Sequence, residues 1–218
     1  MLKRDFRAGE LRLLGLALVI AVASLSSVSF FSDRLSRALA REAHQLLGGD
    51  LLLVADHPWA GAYRAEAQRL GLRVVGSVGF PSMTSVNGAS HLADIKAVEP
   101  GYPLRGSLRI APALNQPDAE TRETPARGTV WLDERLASAL AAKVGDEVRL
   151  GNGVFAVSAV LTLEPDRGVN FFNISPRLMM HADDLPATQL IQVGSRVSWR
   201  LHLAGEAKAV AAFQKWSE

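Results

Sequence analysis

The chain has 218 residues, a formal net charge of +2, 48% hydrophobic residues and no cysteine. The absence of cysteine excludes a disulfide framework, a thiol nucleophile and a thiolate metal site. The near-neutral balance, with basic residues dispersed among acids, gives no footprint for nucleic acid.

Leu13 to Phe31 is 19 residues without a charge. As a helix it rises about 28 Å, close to the roughly 30 Å hydrocarbon thickness of a bilayer. Its only polar side chains are the hydroxyls of Ser24, Ser26, Ser27 and Ser29, whereas a soluble core helix keeps a polar stripe. A cleaved export signal is the competing reading, with basic residues at its start and Ala21-Val22-Ala23 as a cleavage site. The apolar run continues past Ala23, and beyond it Leu35, Leu39, Ala43 and Leu46 recur at helical spacing. The expectation is therefore a cytoplasmic tail over 1–12, a transmembrane helix over 13–31 and a stalk helix over 32–47. Lys3, Arg4, Arg7 and Arg12 precede the span and Arg34, Arg37 and Arg41 follow it, which leans towards an inside N-terminus.

The stalk should end at Gly48-Gly49, where glycine supplies a left-handed cap. Asp50 to Ala55 reads as a buried strand, Pro58 to Leu70 as a helix closed by Gly71, and Leu72 to Val78 as a second strand. A hairpin is expected around Asn87-Gly88 within Ser85 to Lys96, completing β-α-β-β, the opening of a ferredoxin-like unit. A Pro-rich polar stretch then reads as a crossing to another lobe. That lobe should hold a short strand at Val130 to Leu132, a helix over Glu134 to Ala142 capped by Asp133, and a hairpin turning at Asn152-Gly153. Arg167 to Asn173 reads as a loop, Ile174 to His181 and Val197 to Ala204 as strands, and Gly205 to Trp216 as a helix. The fold class expected is α+β: one N-terminal transmembrane helix followed by a two-lobed domain, a ferredoxin-like lobe over 48–108 and 173–218 with a β-rich lobe inserted over 109–172. The ferredoxin-like reading asks for one more strand after the last helix. A chain cut short at Glu218 accounts for that strand and for the single span, and leaves an unpaired sheet edge.

Chemistry is sparse. His44, His57, His91, His181 and His202 have no partners at metal-ligand spacing, and each reads as a surface or capping residue. "HADDLPATQ" reads as a turn or capping loop. There is no G-x-S-x-G and no G-x-x-x-x-G-K-[ST], so no catalytic, metal or cofactor site is expected. Phe171-Phe172 and Met179-Met180 are the notable apolar pairs, each read as one core and one surface side chain. Phe171 and Phe172, after the turn-like "EPDRGVN", are the candidate contact with a partner or with lipid.

"RAGELRLLGLALVIAVASLSSVSFFSDRLSRAL", "LLGGDLLL", "KAVEPGYPLRG", "ALAAKVGDEVRLG", "LTLEPDRG" and "SRVSWRLHLAG" resemble, in this order, the N-terminal part of bacterial ABC transporter permeases of the FtsX/MacB superfamily, YbbP type. The resemblance implies a first span leading into a two-lobed periplasmic domain, in the inner membrane with the bulk of the chain periplasmic. It implies a separate ATPase subunit and the lipid bilayer as partners, leaves room for a periplasmic partner protein, and brings no cofactor and no catalytic residues. The implied function is that of a permease subunit fragment, whose periplasmic domain relays ATP-driven motion in export or extraction of a lipophilic or amphiphilic substrate. Two alternatives remain at this point: a secreted or single-helix-anchored binding protein, and a periplasmic hydrolase, for which no nucleophile and base pair up in the sequence.

Overall fold

The structure is a computed structural model that describes residues 10–169, 175–192 and 194–218, with backbone alone for 10–14, 36–46, 168 and 169. It divides into two units, Met1–Ala43 and His44–Glu218.

Helix α1 (Glu10–Leu46) is a single helix of 37 residues, about 55 Å long at 1.5 Å per residue. Its stretch Gly15–Leu35 has a mean hydropathy of 2.0 and is not buried against protein, so by length and composition it can cross a bilayer. The helix stops where expected. Gly48 has φ +63, the left-handed conformation that ends a helix at little steric cost.

The second unit is built on one ten-stranded sheet. Its elements are β1 (Leu51–Ala55), α2 (Gly61–Arg69), β2 (Arg73–Val86), β3 (Ala89–Val98), β4 (Leu108–Ala111), β5 (Ala119–Thr121), β6 (Thr129–Asp133), α3 (Glu134–Ala139), β7 (Glu147–Leu150), β8 (Gly153–Leu163), β9 (Arg177–His181), α4 (Leu185–Thr188), β10 (Ser198–Ala204) and α5 (Ala207–Ser217). The strand order is β1-β10-β2-β3-β9-β6-β8-β4-β5, with β7 bridging β2 and β8. Strands from 48–108 and 173–218 occupy one end of this path and strands from 109–172 the other, joined by the β9–β6 and β7–β2 pairings.

The β-α grammar at the two chain ends converges in space. β10 lies between β1 and β2 and is antiparallel to both. The three therefore stand as the first, third and second strands of a split βαβ unit, with α2 and α5 as its helices. The hairpin strand β3, which the local sequence suggests as the third strand, instead continues the sheet outward. β1 ends the path, pairing with β10 alone among the described residues.

Local signals hold well. Asn87 (φ 49) and Gly88 (φ 86) form the two-residue turn between β2 and β3, with both residues left-handed as a type I′ turn requires. Asp133 caps α3, its carboxylate accepting from the Leu136 N–H at 2.7 Å. The second hairpin turns one residue earlier than its Asn-Gly pair suggests. Leu150 pairs with Gly153, so Gly151 and Asn152 form the turn. Only Gly151 is left-handed, φ +57, which suits the glycine-first type II′ turn. A Cβ on Gly151 would also lie 2.2 Å from the Thr188 carbonyl oxygen. Gly151→Ala is expected to cost about 2–4 kcal/mol, from a left-handed alanine and an overpacked contact together; a thermal unfolding midpoint unchanged from wild type would contradict this.

Both faces of the sheet are covered. One face buries Val78, Phe80, Ile95, Leu132, Phe155, Leu178 and Met180. The other buries Val75, Val98, Tyr102, Leu108, Trp131 and Met179. Met179 and Met180 are thus both fully buried, because β9 is a central strand; the expectation of one surface methionine fails for that reason. β4 and β5 lie in the Pro-rich stretch expected as a crossing to another lobe, where the sequence predicts no strands. They are held by β8 and by the Arg109–Asp118 ion pair at 2.7 Å, neither of which leaves a local periodicity.

Candidate functional site

Where the chain leaves α1 it is built into the sheet over four residues. The Gly48 carbonyl accepts from the Leu104 N–H at 2.9 Å and the Arg105 N–H at 3.3 Å, and the Asp50 N–H donates to the Leu203 carbonyl at 2.8 Å. The Asp50 carboxylate accepts a two-pronged bond from Arg105, at 2.9 and 2.7 Å, and a third from the Gly205 N–H at 2.9 Å. Paired planar forks of this kind fix orientation as well as distance. Asp50→Ala removes three bonds at this half-buried junction. It is expected to lower stability by about 2–3 kcal/mol, and urea unfolding with an unchanged midpoint would contradict this.

Beside the junction lies a network of buried polar side chains. The period of two along the strands puts Asp94 and Lys96 of β3, Arg177 of β9, Ser77 of β2 and His202 of β10 on one sheet face. Lys96 Nζ meets Tyr102 Oη at 2.7 Å, Glu164 Oε1 at 2.6 Å and Asp166 at 2.7 Å. The Tyr102 hydroxyl donates to Asp166, Arg177 Nε to Glu164 at 2.8 Å, and Arg177 Nη1 to Asp94 at 2.6 Å. The side chains of Lys96 and Glu164 are 1% and 0% exposed, too little for water to replace a lost partner.

The electrostatics follow from this burial. Burial, then the Asp166 and Glu164 charges, push the Tyr102 hydroxyl well above its ordinary value, so it stays a donor. Burial opposes the charge on Asp166, but Lys96 outweighs it and holds the carboxyl well below the usual range. His202 is pushed down to about 4 by burial and by the Lys96 charge, so its imidazole is neutral. Its contacts fix the tautomer: Nδ1–H donates to the Leu47 carbonyl at 3.1 Å, and the Ser77 hydroxyl donates to Nε2 at 2.9 Å. This corrects the expectation for the histidines. His181 does cap, its Nδ1 accepting from the Asp183 N–H at 3.1 Å, but His202 is a fully buried network member.

Phe171 and Phe172 lie outside the described residues. The chain on either side of them is anchored in the network. Asp166 precedes them on the 3₁₀ turn Pro165–Val169, Arg177 follows on β9, and Arg167 holds Asp133 at 2.6 Å. None of these network residues stood out singly in the sequence. The available signal was charge inside strands that bury both faces, as in "ADIKAV".

On the opposite face, a groove of about 410 Å³ is lined by Val78, Glu99, Leu185, Pro186, Ile191 and Trp199. A smaller recess of about 130 Å³ adjoins it beneath Trp59. Its floor at Gly76 leaves room for the Arg64–Glu99 ion pair, which a Cβ there would meet at 2.7 Å. Among the described residues no group of three His, Asp or Glu side chains is placed to hold a metal ion.

Among the described residues the chain pairs one helix long and apolar enough to cross a membrane with a separate folded unit built on a mixed sheet. The family model for the MacB-like periplasmic core domain matches residues 13–215, and the chain belongs to that family. It is 33% identical over 213 residues to the uncharacterised ABC transporter permease YbbP of Escherichia coli (strain K12), covering 98% of this chain and 26% of that protein. The chain thus spans about a quarter of the length of the curated relative it matches. Among solved structures it is similar to the periplasmic region of MacB from Actinobacillus actinomycetemcomitans, at 16% identity and TM-score 0.47, covering 79% of this chain and 83% of that one. It is also similar to the extracellular domain of the noncanonic ABC-type transporter YknZ from Gram-positive bacteria, at 12% identity and TM-score 0.46, covering 68% and 76%.

Proposed function

We propose that the chain is part of the membrane subunit of an ABC-type transporter. α1 crosses the inner membrane with its N-terminus in the cytoplasm, and His44–Glu218 stands in the periplasm. The observation that carries this reading is the junction at 47–50. A span that merely tethers a binding domain needs only a flexible linker, whereas here hydrogen bonds and a two-pronged ion pair tie residues 48–50 to β10 and to the connection between β3 and β4. Such a joint suits a domain that follows movements of its membrane helix. The partner that supplies those movements is a separate ATPase subunit, and the chain is assigned no catalytic role. The apolar groove beside Trp199 supports a lipophilic or amphiphilic substrate. Phe171 and Phe172, between two anchored roots, are proposed as the contact with a periplasmic partner or with lipid.

The test uses the absence of native cysteine. A fluorophore on Lys215→Cys, at the exposed end of α5, is followed after reconstitution with an ABC ATPase subunit in lipid nanodiscs. ATP should change its emission, and an ATPase unable to hydrolyse ATP should abolish the change. Identical signals with both ATPases would contradict the reading.

A further inference from the structure

The connection between β3 and β4 touches both the helix junction and the buried network. Leu104 and Arg105 bind the Gly48 carbonyl through their N–H groups, and the Arg105 side chain binds Asp50. Three residues earlier, Tyr102 is fully buried, and its hydroxyl meets Lys96 and donates to Asp166 of the 165–169 turn. Its ring packs edge-on to His202, 5.3 Å between centroids, and His202 donates to the Leu47 carbonyl. The Lys96 ammonium lies 4.4 Å from the same ring centre. One five-residue stretch, Gly101 to Arg105, therefore grips the chain leaving the helix with one end and the turn before Phe171 with the other.

We propose that the Gly101–Arg105 stretch is a coupling element that makes residues 47–50 and the 165–169 turn open and move as one unit. Tyr102 is its positioning residue towards the turn and Arg105 towards the junction. The two attachment points belong to segments more than a hundred residues apart in sequence, and the stretch bonds directly to both. A buried cluster of paired charges resists partial displacement, because each broken contact leaves a buried polar group short of a partner that water cannot replace. Displacement at one attachment must therefore be shared by the other or break the network. The proposal rests on the reading of the domain as a relay, but its test needs no ATPase, so either can fail while the other stands.

The test is hydrogen exchange on the full chain. Tyr102→Phe keeps the buried ring and deletes only the hydroxyl, with its contacts to Lys96, Asp166 and, at 3.5 Å, Glu164. Exchange is expected to quicken about tenfold at Arg167, whose N–H donates to Glu164. The Asp50 and Leu104 amides should quicken by a similar factor, and the β7–β8 hairpin should keep wild-type protection. Asp50→Asn perturbs the half-buried junction from the other end and should quicken exchange at Arg167, since coupling between two sites is reciprocal. It serves as the second arm should Tyr102→Phe fail to fold. Faster exchange confined to the mutated end in either variant would overturn the proposal.

Discussion

Lys96→Met is expected to lower the stability of the sheet domain by about 3–5 kcal/mol, because removing one member of a buried ion cluster leaves its partners charged and dry. The methionine keeps most of the apolar stem, so little of the loss comes from packing. Asp166 suffers most. Among the described residues its carboxylate then keeps only the Tyr102 hydroxyl, whereas Glu164 retains Arg177. Adding Asp166→Asn to Lys96→Met should therefore restore a large part of the loss, making the double variant more stable than the single one. Urea unfolding of the detergent-solubilised chain, followed by tryptophan fluorescence, measures both. A Lys96→Met midpoint equal to wild type would mean that the cluster is hydrated in solution and adds nothing to the fold.

His202 should make the protein sensitive to mild acid. Its folded-state pKa of about 4 lies below the ordinary value of about 6.5 because it is buried and because Lys96 stands nearby, against the opposing Asp166 charge. With the folded value depressed for a base, the unfolded chain binds the proton more tightly. The stabilisation is full above about pH 6.5, declines as pH falls, and is lost at about pH 4, a total of about 3 kcal/mol. The contributions of Asp166 and Asp118, two carboxylates held low in the fold, are lost below that window, not within it. His202→Gln should remove most of the slope between pH 6.5 and 4. An unfolding midpoint that stays level over that range in wild type would show the imidazole is reached by solvent.

What could be read from the sequence was whatever is decided within a few residues. The spanning helix follows from its apolar length, its end from Gly48, the first hairpin from Asn87-Gly88 and the α3 cap from Asp133. The second hairpin shows where local reading slips. Gly151, Asn152 and Gly153 offer two turns, and contact with Thr188, 37 residues away, accompanies the one adopted. The placement of β10 between β1 and β2 is not local at all, and without it β3 looks like the natural third strand. The buried network was invisible for the same reason. Lys96 finds Glu164 and Asp166 across 68 and 70 residues, and only the parallel register of β3 and β9 brings Asp94 beside Arg177. The motifs that carried the family resemblance nevertheless contain Lys96, Tyr102, Arg105, Glu164, Asp166 and His202. Their chemistry becomes apparent once the sheet assembles them.

The central claim is that α1 spans the membrane and delivers His44–Glu218 to the outer side. Single cysteines at Lys3 and Lys215, in a chain that has none of its own, report it through a membrane-impermeant maleimide applied to intact spheroplasts. Lys215→Cys should be labelled at once and Lys3→Cys only after the membrane is permeabilised. Protection of Lys215→Cys, or labelling of Lys3→Cys in sealed spheroplasts, would contradict the account.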